Sequence, residues 1–540
     1  MSATNLRLLV SGLAVLVAAC RPAPGPSAPP PVPVAAPVAR APLPPANPKL
    51  PPVPEVRGPV RINVAYPKPD QMLTVRDSNF IFGTVGSGDA GLRINGVLVP
   101  VWPNGSFMGW LPVPPDSAPR YELVASNGLD SAQLTLPIQL PPPPDTTRPD
   151  TIPLDTVIPI AGNVYATLGA PASTVNDTDR VSIARPAPGN GQEYKWFLLP
   201  GTVVRLTGYK KASGGDFARI ELDSTQEAWV LRSELQPVTD SVAPVRRIGT
   251  IRVEPSAEWI DIAIPTASPP SYLVEEGDRT ISILLYGVTG AQVVSTMPEP
   301  ADSYVASVVG TPEGSRARYE VNLTRAPYGY LVLWQNGALT LRVRRPPTIA
   351  DASAPLRGLT ITVDPGHPPV GATGPSGFYE ADAVLPVGLK LRDLLVERGA
   401  NVVMTRTTSD PVDLGLRPII SRRANAHAFV SIHLNAFPDG VNPFENNGTT
   451  TLYFWPHSFP LGQATQTALA SELGLRDNGT RFQNIAVARG SWMPAILTEG
   501  AFIIMPDQEA ALRTSEYQET YARGLLRGLE SYFASLAQKP

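Results

Sequence analysis

The sequence is poor in cysteine and histidine, with one cysteine, Cys20, and four histidines among 540 residues. A single cysteine excludes an intramolecular disulfide, and it also excludes a cysteine-based metal site or a cysteine nucleophile in the body of the chain. An excess of charge is missing too, because 44 basic residues nearly balance 47 acidic ones and leave a formal net charge of -3. The composition therefore gives no reason to expect nucleic acid as a partner.

Proline is the residue in excess. The chain contains 63 prolines, and its length predicts three or four domains. Sixteen prolines fall within residues 21–60, which predicts a semi-rigid polyproline spacer that would reach on the order of 120 Å if fully extended. Residues 141–160, rich in Pro, Asp and Thr, predict a second linker. We therefore expect a multidomain chain joined by proline-rich linkers.

Cys20 closes a segment that has the form of a signal peptide. Arg7 precedes an apolar run, residues 8–19, which is too short to span a bilayer stably but has the length of a secretory signal core. The run ends in Val-Ala-Ala-Cys and resembles a bacterial lipobox. This resemblance implies a lipoprotein signal peptide over residues 1–20 and a lipidated Cys20, and Arg21 in place of Asp implies an outer-membrane anchor that faces the periplasm. The alternative is an ordinary signal peptide with a chance cysteine.

Three stretches predict small all-β modules. Residues 61–140 alternate apolar and polar positions, and Asn95-Gly96 marks a tight hairpin turn; this stretch resembles a bacterial immunoglobulin-like sandwich, for which we expect a spacer or adhesion role. Residues 161–238 resemble a bacterial Src-homology-3-like barrel. Residues 246–348 keep the period of two that half-buried strands show, and they resemble an AMIN-type sandwich.

Two tryptophans of the second module allow two interpretations. Trp196, and Trp229 in the Trp-Val pair that the final strand of such barrels commonly carries, could line a groove for a cell-wall peptide. An aromatic residue on a short strand belongs to the core more often than to a ligand site. We therefore favour a core role for both.

After Arg357 the pattern changes. Strand-like runs now alternate with helical ones, which predicts an α/β domain over residues 358–537 with a mostly parallel twisted sheet flanked by helices. The candidate strands begin at Leu359, Asn401, Ala428, Thr450 and Ala495. Apolar residues at helical spacing from Val384 to Leu395 predict a helix that Gly399 caps at its C-terminal end. Residues 463–473 and 517–536 predict further helices.

Four polar side chains are predicted to gather at one edge of this sheet. His367 follows the first strand, His433 the third and Glu499 the fifth, and open α/β sheets bind ligands beyond the carboxyl ends of their strands. Glu380 lies just ahead of the first helix, in the loop that leaves the first strand, and belongs on the same edge. Two neutral imidazoles and one carboxylate are a common catalytic zinc arrangement, and a second carboxylate outside the metal shell would act as general base.

The motifs around these residues carry a family resemblance. Asp-Pro-Gly-His367, Phe-Tyr-Glu380, Ser-Ile-His433-Leu-Asn and Leu-Thr-Glu499 resemble the amidase type 3 family of N-acetylmuramoyl-L-alanine amidases, over residues 358–537 and no other part of the chain. The resemblance implies that His367, Glu380 and His433 hold one Zn2+ and that Glu499 is catalytic. It further implies that the substrate is peptidoglycan, cut between N-acetylmuramic acid and L-alanine.

The sequence departs from the family in two places. Pro368 and Pro369 replace the usual two glycines after His367, which stiffens the loop and removes two backbone donors. Residues 502–507 read Phe-Ile-Ile-Met-Pro-Asp, where the family more often has Ser-Asn.

Some members also insert a long helix that blocks the zinc until an activator binds. Residues 437–448 are too short for such a helix, so we expect activity without an activator protein.

Other interpretations stay open at this point. The same zinc site could serve a wall endopeptidase, or the domain could be a degenerate fold in a non-catalytic wall-binding lipoprotein. Taken alone, each histidine would more often be structural, and we interpret His427 and His457 in that way. Asn435 could orient a ligand or substrate, or it could form a turn at the strand end.

Overall fold

The computed structural model describes residues 37–142, 157–169, 181–237, 242–299 and 301–537. The predicted signal peptide, the lipidation of Cys20 and most of the second linker lie outside these residues. Within the described ranges, no helix is long and apolar enough to cross a bilayer.

The first module consists of two sheets that enclose an apolar core. One sheet has the order β1-β3-β6 and the other β2-β8-β7-β4-β5. Asn95 and Gly96 have φ of +45° and +83° and connect β4 to β5, which confirms the tight turn predicted from this pair. The strands are β1 (Asn63–Tyr66), β2 (Gln71–Met72), β3 (Ser78–Thr84), β4 (Gly91–Ile94), β5 (Val97–Val99), β6 (Ser106–Pro112), β7 (Arg120–Ser126) and β8 (Ser131–Gln139).

The second module is also all-β. A five-stranded antiparallel sheet, β14-β13-β12-β9-β15, is accompanied by the pair β10-β11, and a 3-10 turn at Arg232–Glu234 precedes the last strand. Trp196 and Trp229 are both buried, and the Trp196 indole donates to the Tyr286 hydroxyl at 3.3 Å, which agrees with the core interpretation. The strands are β9 (Ile158–Leu168), β10 (Ser182–Ala184), β11 (Trp196–Leu198), β12 (Val203–Ala212), β13 (Gly215–Asp223), β14 (Gln226–Leu231) and β15 (Leu235–Pro237).

The third module is a two-sheet sandwich. Its sheets have the orders β16-β17-β24-β23 and β18-β19-β22-β21-β20, and every pairing in both is antiparallel. The strands are β16 (Arg252–Pro255), β17 (Trp259–Pro265), β18 (Ser271–Glu276), β19 (Thr280–Tyr286), β20 (Val294–Thr296), β21 (Val305–Glu313), β22 (Arg316–Leu323), β23 (Tyr330–Gln335) and β24 (Ala338–Arg344).

The C-terminal domain is the predicted α/β unit. Its six-stranded sheet has the order β26-β25-β27-β30-β28-β29, and every pairing is parallel except that of β28 with β30. The strands are β25 (Thr360–Pro365), β26 (Asn401–Met404), β27 (Ala428–Asn435), β28 (Thr449–Tyr453), β29 (Asp477–Phe482) and β30 (Ala495–Phe502). The helices are α1 (Glu380–Glu397), α2 (Leu416–Arg423), α3 (Pro443–Asn446), α4 (Phe459–Leu473), α5 (Ala486–Arg489), α6 (Pro506–Leu512) and α7 (Ser515–Leu536), with a 3-10 turn at Pro456–Ser458. The polar edge strand β29 was not predicted.

The first helix forms as its sequence predicts. Val384, Val387, Leu391 and Leu395 recur at helical spacing and are all fully buried against the sheet. The helix ends at the predicted glycine, because Gly399 has φ of +79° and donates its N–H to the Val396 carbonyl at 2.9 Å.

Three of the predicted site residues lie inside a strand or helix where the sequence predicted a position outside it. His433 and Glu499 lie within β27 and β30 rather than after them, because the ladder between these strands continues through the pair His433–Glu499. Glu380 is the first residue of α1 rather than a loop residue. The strands therefore extend further toward the site, and they hold two of its side chains directly.

The proline-rich stretch packs on the folded domains over its described part. The Asn47 amide donates to the carbonyls of Leu473 and Gly474 at 3.4 and 3.1 Å, and the Lys49 ammonium donates to that of Ser471. These carbonyls lie at the C-terminal end of α4, where helix carbonyls lack partners inside the helix. The composition predicted an extended spacer over residues 21–60. Residues 47–49 instead bind the C-terminal domain.

The second and third modules also contact the C-terminal domain. Phe197 of the second module packs against Trp455, with ring centroids 5.3 Å apart and ring planes tilted by 60°. Glu276 of the third module accepts from the His457 ring at 2.9 Å. Arg344, at the end of β24, is buried beside Asn425 and donates to its carbonyl at 3.0 Å. The four modules therefore form one packed assembly.

Candidate metal centre

The loop after β25 presents His367. His367 has φ of +60°, a left-handed conformation that is rare outside glycine and that needs support from its surroundings. Arg417 supplies this support, because its guanidinium donates to the His367 carbonyl at 2.7 Å and to the Asp364 carboxylate at 2.7 Å. Asp364 is fully buried and accepts further bonds from the hydroxyls of Thr405 and Ser431 at 2.5 and 2.6 Å.

Glu380 lies between the two histidines. Its Oε2 is 3.1 Å from His367 Nε2 and its Oε1 is 2.9 Å from His433 Nδ1. The backbone N–H groups of Ala372 and Leu434 donate to the same two oxygens at 2.9 and 3.0 Å. Burial by itself would raise the pKa of the Glu380 carboxyl, but the hydrogen bonds from His367 and His433 and their charges outweigh it and hold the pKa below its ordinary value. The buried carboxyl is therefore kept ionised.

The two histidines and Glu380 form a cluster that fits a metal ion. One ligand atom from each of His367, Glu380 and His433 lies within 4.8 Å of the others, and the two rings have centroids 5.0 Å apart. Two imidazole nitrogens with one carboxylate oxygen suit a first-row divalent cation and leave room for a further ligand.

Two glycines make room for this cluster. A Cβ added at Gly366 would lie 2.3 Å from the His433 ring, and one added at Gly371 would lie 2.5 Å from Glu380 Oε2 and 2.7 Å from His367. Gly371 also has φ of +70°. The ligand side chains thus approach the backbone at both positions more closely than any larger residue would allow.

Glu499 is positioned across the ladder from His433. Its Oε2 is buried and has no hydrogen-bond partner among the described residues. Burial, together with the nearby charge of Glu380, raises the pKa of the Glu499 carboxyl well above its ordinary value. A partly buried carboxyl with one unpartnered oxygen, beside a cluster that fits a metal ion, is able to exchange a proton with a reacting group.

Tyr521 is a supporting residue that no sequence pattern indicated. Its hydroxyl, on α7, lies 3.1 Å from the His433 carbonyl, 3.3 Å from the Thr498 carbonyl and 3.0 Å from the Thr498 hydroxyl. A Cβ at Gly500 would lie 2.0 Å from the Tyr521 ring, so the ring fits only beside a glycine. Tyr521 therefore fixes the two strands that carry His433 and Glu499.

A pair of buried arginines was also missed. Arg406 donates to the carbonyls of Pro365, Gly366 and Ala381 at 2.8 Å each, while Arg417 holds Asp364 and His367 as described above. Burial lowers the pKa of Arg406 to about 10. Arg406 ends a stretch, Val-Val-Met-Thr-Arg, that resembles the family, but the contacts of the two arginines join distant parts of the chain and do not follow from the local sequence.

The remaining residues singled out in the sequence do not join the cluster. His457 is buried against Glu276, and His427 Nδ1 accepts from the Thr360 N–H at 2.9 Å. Burial lowers the pKa of His427 to about 4. The Asn435 side chain accepts from the N–H of Ala436 at 2.8 Å, as in a turn at the strand end.

A mostly parallel α/β sheet with a His/Glu/His cluster and a partly buried carboxyl at its carboxyl edge is an arrangement typical of metal-dependent hydrolases. Residues 361–531 match the family model described as N-acetylmuramoyl-L-alanine amidase, and the chain belongs to this family. The predicted enzyme class is thereby confirmed at the level of the family.

Two curated relatives carry names that agree with this assignment. A probable cell wall amidase, LytH, of Staphylococcus epidermidis is 31% identical over 188 residues, which are 34% of this chain and 62% of the relative. The sporulation-specific N-acetylmuramoyl-L-alanine amidase of Bacillus subtilis is 33% identical over 32% of this chain and 68% of its own length. A solved N-acetylmuramoyl-L-alanine amidase of Clostridium difficile 630 is 34% identical over 33% of this chain and 97% of its own, with a TM-score of 0.31. The chain thus spans less than two thirds of the staphylococcal relative.

Proposed function

We propose that the C-terminal domain is a zinc-dependent peptidoglycan hydrolase that cleaves the amide bond between N-acetylmuramic acid and L-alanine. His367, Glu380 and His433 hold the ion and Glu499 is the catalytic base. The observation that carries the proposal is the Glu499 carboxyl, whose Oε2 is buried without a hydrogen-bond partner among the described residues, directly across the β27–β30 ladder from one of the cluster's histidines. The name of the Bacillus subtilis relative supports the choice of bond.

Each group has one task in this proposal. When bound, zinc would polarise the scissile carbonyl and make a water molecule acidic enough to ionise near neutral pH. Glu499 takes the proton of the attacking water and passes it to the departing amide nitrogen, a role typically worth about 10²- to 10⁴-fold in rate. Tyr521 and Arg417 keep the ligand-bearing backbone in place through their contacts with the carbonyls of His433 and His367.

Replacement of the base tests the mechanism. In the zinc-loaded full chain, Glu499→Gln keeps the size of the side chain but removes its ability to take a proton. We expect zinc content equal to wild type and a loss of at least about 10²-fold in cleavage. Glu516→Gln, on the exposed start of α7, is the matched control and should leave both unchanged. An unchanged cleavage rate in Glu499→Gln would refute this role.

The product identifies the bond. Mass spectrometry of digested peptidoglycan should detect peptides that begin at L-alanine together with glycan free of peptide. Cuts within the stem peptides would instead support the endopeptidase alternative. No released product from the zinc-loaded wild type would support the non-catalytic alternative. Because this digest needs no added protein, it also tests the expectation that an activator is not required.

We further propose that the enzyme acts on peptidoglycan from a lipid anchor in the cell envelope, at the outer membrane and facing the periplasm. The support is the lipobox-like ending at Cys20. The immunoglobulin-like, Src-homology-3-like and AMIN-type resemblances of the upstream modules stay part of this proposal. Cys20→Ser should release the protein from the membrane fraction of the cell. A variant that stays in that fraction would contradict the anchor.

A further inference from the structure

One sheet of the first module is buried on both faces. Ile81 and Phe107 point into the module's own core, whereas Phe80, Phe82 and Met108 belong to one continuous apolar cluster with the C-terminal domain. Near-continuous apolar runs are what strands need when both faces are covered. The sheet β1-β3-β6 therefore has a second partner, which is the C-terminal domain itself.

On the C-terminal domain, this contact lies beside residues 502–507, where the sequence departs from the family. Ile504 and Met505, in the Phe-Ile-Ile-Met-Pro-Asp stretch after β30, are buried in the same apolar cluster. The helix that follows, α6, lies against β6 of the first module. Ile504 and Met505 thus belong to the same buried cluster as Phe80, Phe82 and Met108 of the first module.

A polar contact lies beside the apolar one and involves the loop after β27. The Asp439 carboxylate accepts from the Tyr66 hydroxyl, from the Thr74 N–H at 2.8 Å and hydroxyl at 3.2 Å, and from the Asn79 amide at 2.8 Å. Asn79 in turn accepts from the N–H of Gly440 at 3.1 Å. Every partner of Asp439 is a donor, so the site requires a group that only accepts hydrogen bonds.

This loop borders the metal centre. It leaves β27 two residues after His433, at the carboxyl edge where α/β sheets bind their ligands. Phe437 stacks on Phe502 with ring centroids 4.2 Å apart, and Phe502 is the last residue of β30, the strand that carries Glu499. The loop is thus attached at one end to both strands of the site and at Asp439 to the first module.

We propose that the first β-sandwich is a positioning element of the catalytic domain, which holds the loop of residues 436–442 through Asp439 in the conformation that receives substrate. Asp439 is a positioning residue, since it touches neither the metal cluster nor Glu499. The effect on cleavage rests on the proposed function, whereas the docking of the loop does not.

The test uses the zinc-loaded full chain with three variants. Asp439→Asn places an amide donor among the donors that surround this site. Tyr66→Phe removes one donor and keeps the ring contacts with Phe80 and Phe82. Asp116→Asn is the matched control, because Asp116 is an exposed carboxylate of the same sandwich that pairs only with Arg76 in the described structure.

Two readouts separate the contact from its consequence. Hydrogen–deuterium exchange of residues 436–447 should be faster in Asp439→Asn by roughly 10-fold or more, since bonds to a charged group are lost, and by less in Tyr66→Phe. The KM for peptidoglycan should rise in the same order, while kcat and zinc content stay within about twofold of wild type. Asp116→Asn should match wild type in both readouts.

The outcomes are distinct. Unchanged exchange in both interface variants overturns the proposal, and so does faster exchange with an unchanged KM. An equal fall in zinc content and kcat without a rise in KM also overturns it, since the contact would then be structural only. If wild type cleaves nothing, the proposed function fails, and exchange alone decides whether the sandwich holds the loop.

Discussion

Replacement of Arg417 tests how the ligand-bearing loop is held. The guanidinium is 3% exposed and donates to the carboxylate of Asp364 and to the carbonyls of Pro365 and His367. Arg417→Met keeps most of the apolar stem and removes the charge together with all these donors. The variant therefore leaves the fully buried Asp364 without its hydrogen-bonded cation.

The expected cost follows from this environment. Removal of one partner from a buried ion pair typically costs about 3 to 5 kcal/mol. The hydroxyls of Thr405 and Ser431 still donate to Asp364, so we expect the lower end, about 3 kcal/mol. For a domain of this size, such a loss lowers Tm by roughly 6 to 12 °C. Zinc affinity should also fall roughly 10-fold, because the His367 carbonyl loses its donor.

Calorimetry of the metal-free full chain and zinc titration measure the two effects. Arg423→Met, on the exposed side of the same helix, is the matched control and should change stability by less than about 0.5 kcal/mol. A loss below about 1 kcal/mol in Arg417→Met would refute the argument that this pair stabilises the site.

Three further predictions concern other contacts. Phe82→Ala should lower the free energy of unfolding by about 3 to 5 kcal/mol, because it opens a cavity between the first module and the C-terminal domain. Urea denaturation measures this loss, and a loss under about 1 kcal/mol would contradict the packing of the first module on the C-terminal domain. Gly366→Ala should weaken zinc binding roughly 10-fold or more, since the new methyl group would displace the His433 ring. Zinc titration measures the affinity, and a variant with wild-type affinity would contradict the prediction. Burial would raise the pKa of Asp439, but its hydrogen bonds outweigh burial and hold the pKa below 3.8. The stability that this carboxylate contributes is therefore present above pH 3.8, and it is lost as the pH falls through the pKa of Asp439 in the folded protein. The stability difference between metal-free wild type and Asp439→Asn should therefore be constant from about pH 5 to 7 and shrink below 3.8, and a difference that grows in acid would contradict it.

The local elements of this protein were accessible from its sequence. Asn95-Gly96 predicts its turn because only such residues adopt positive φ cheaply, and the spacing from Val384 to Leu395 predicts α1 because one helix face must be buried. The motifs around His367 and Glu499 likewise predicted one shared edge of a sheet. Each of these patterns lies within a short stretch of sequence, so it can be recognised without knowledge of distant residues.

The contacts that hold the site required the tertiary structure. Arg417 and Asp364 are distant in sequence, and no residue near either one in the sequence indicates that they form an ion pair. The polar strand β29 was missed because an edge strand with few apolar residues lacks the periodic signal.

The amino-acid sequence by itself determined the all-β character of the upstream modules, the α/β domain and the four residues that lie at its edge. Only the tertiary structure decided that the first module packs against the C-terminal domain, through Phe80, Phe82 and Asp439. The physical reason is that an apolar or acidic residue on a strand or loop does not specify which surface will cover it. That choice is made when distant surfaces of complementary shape and hydrogen bonding come together.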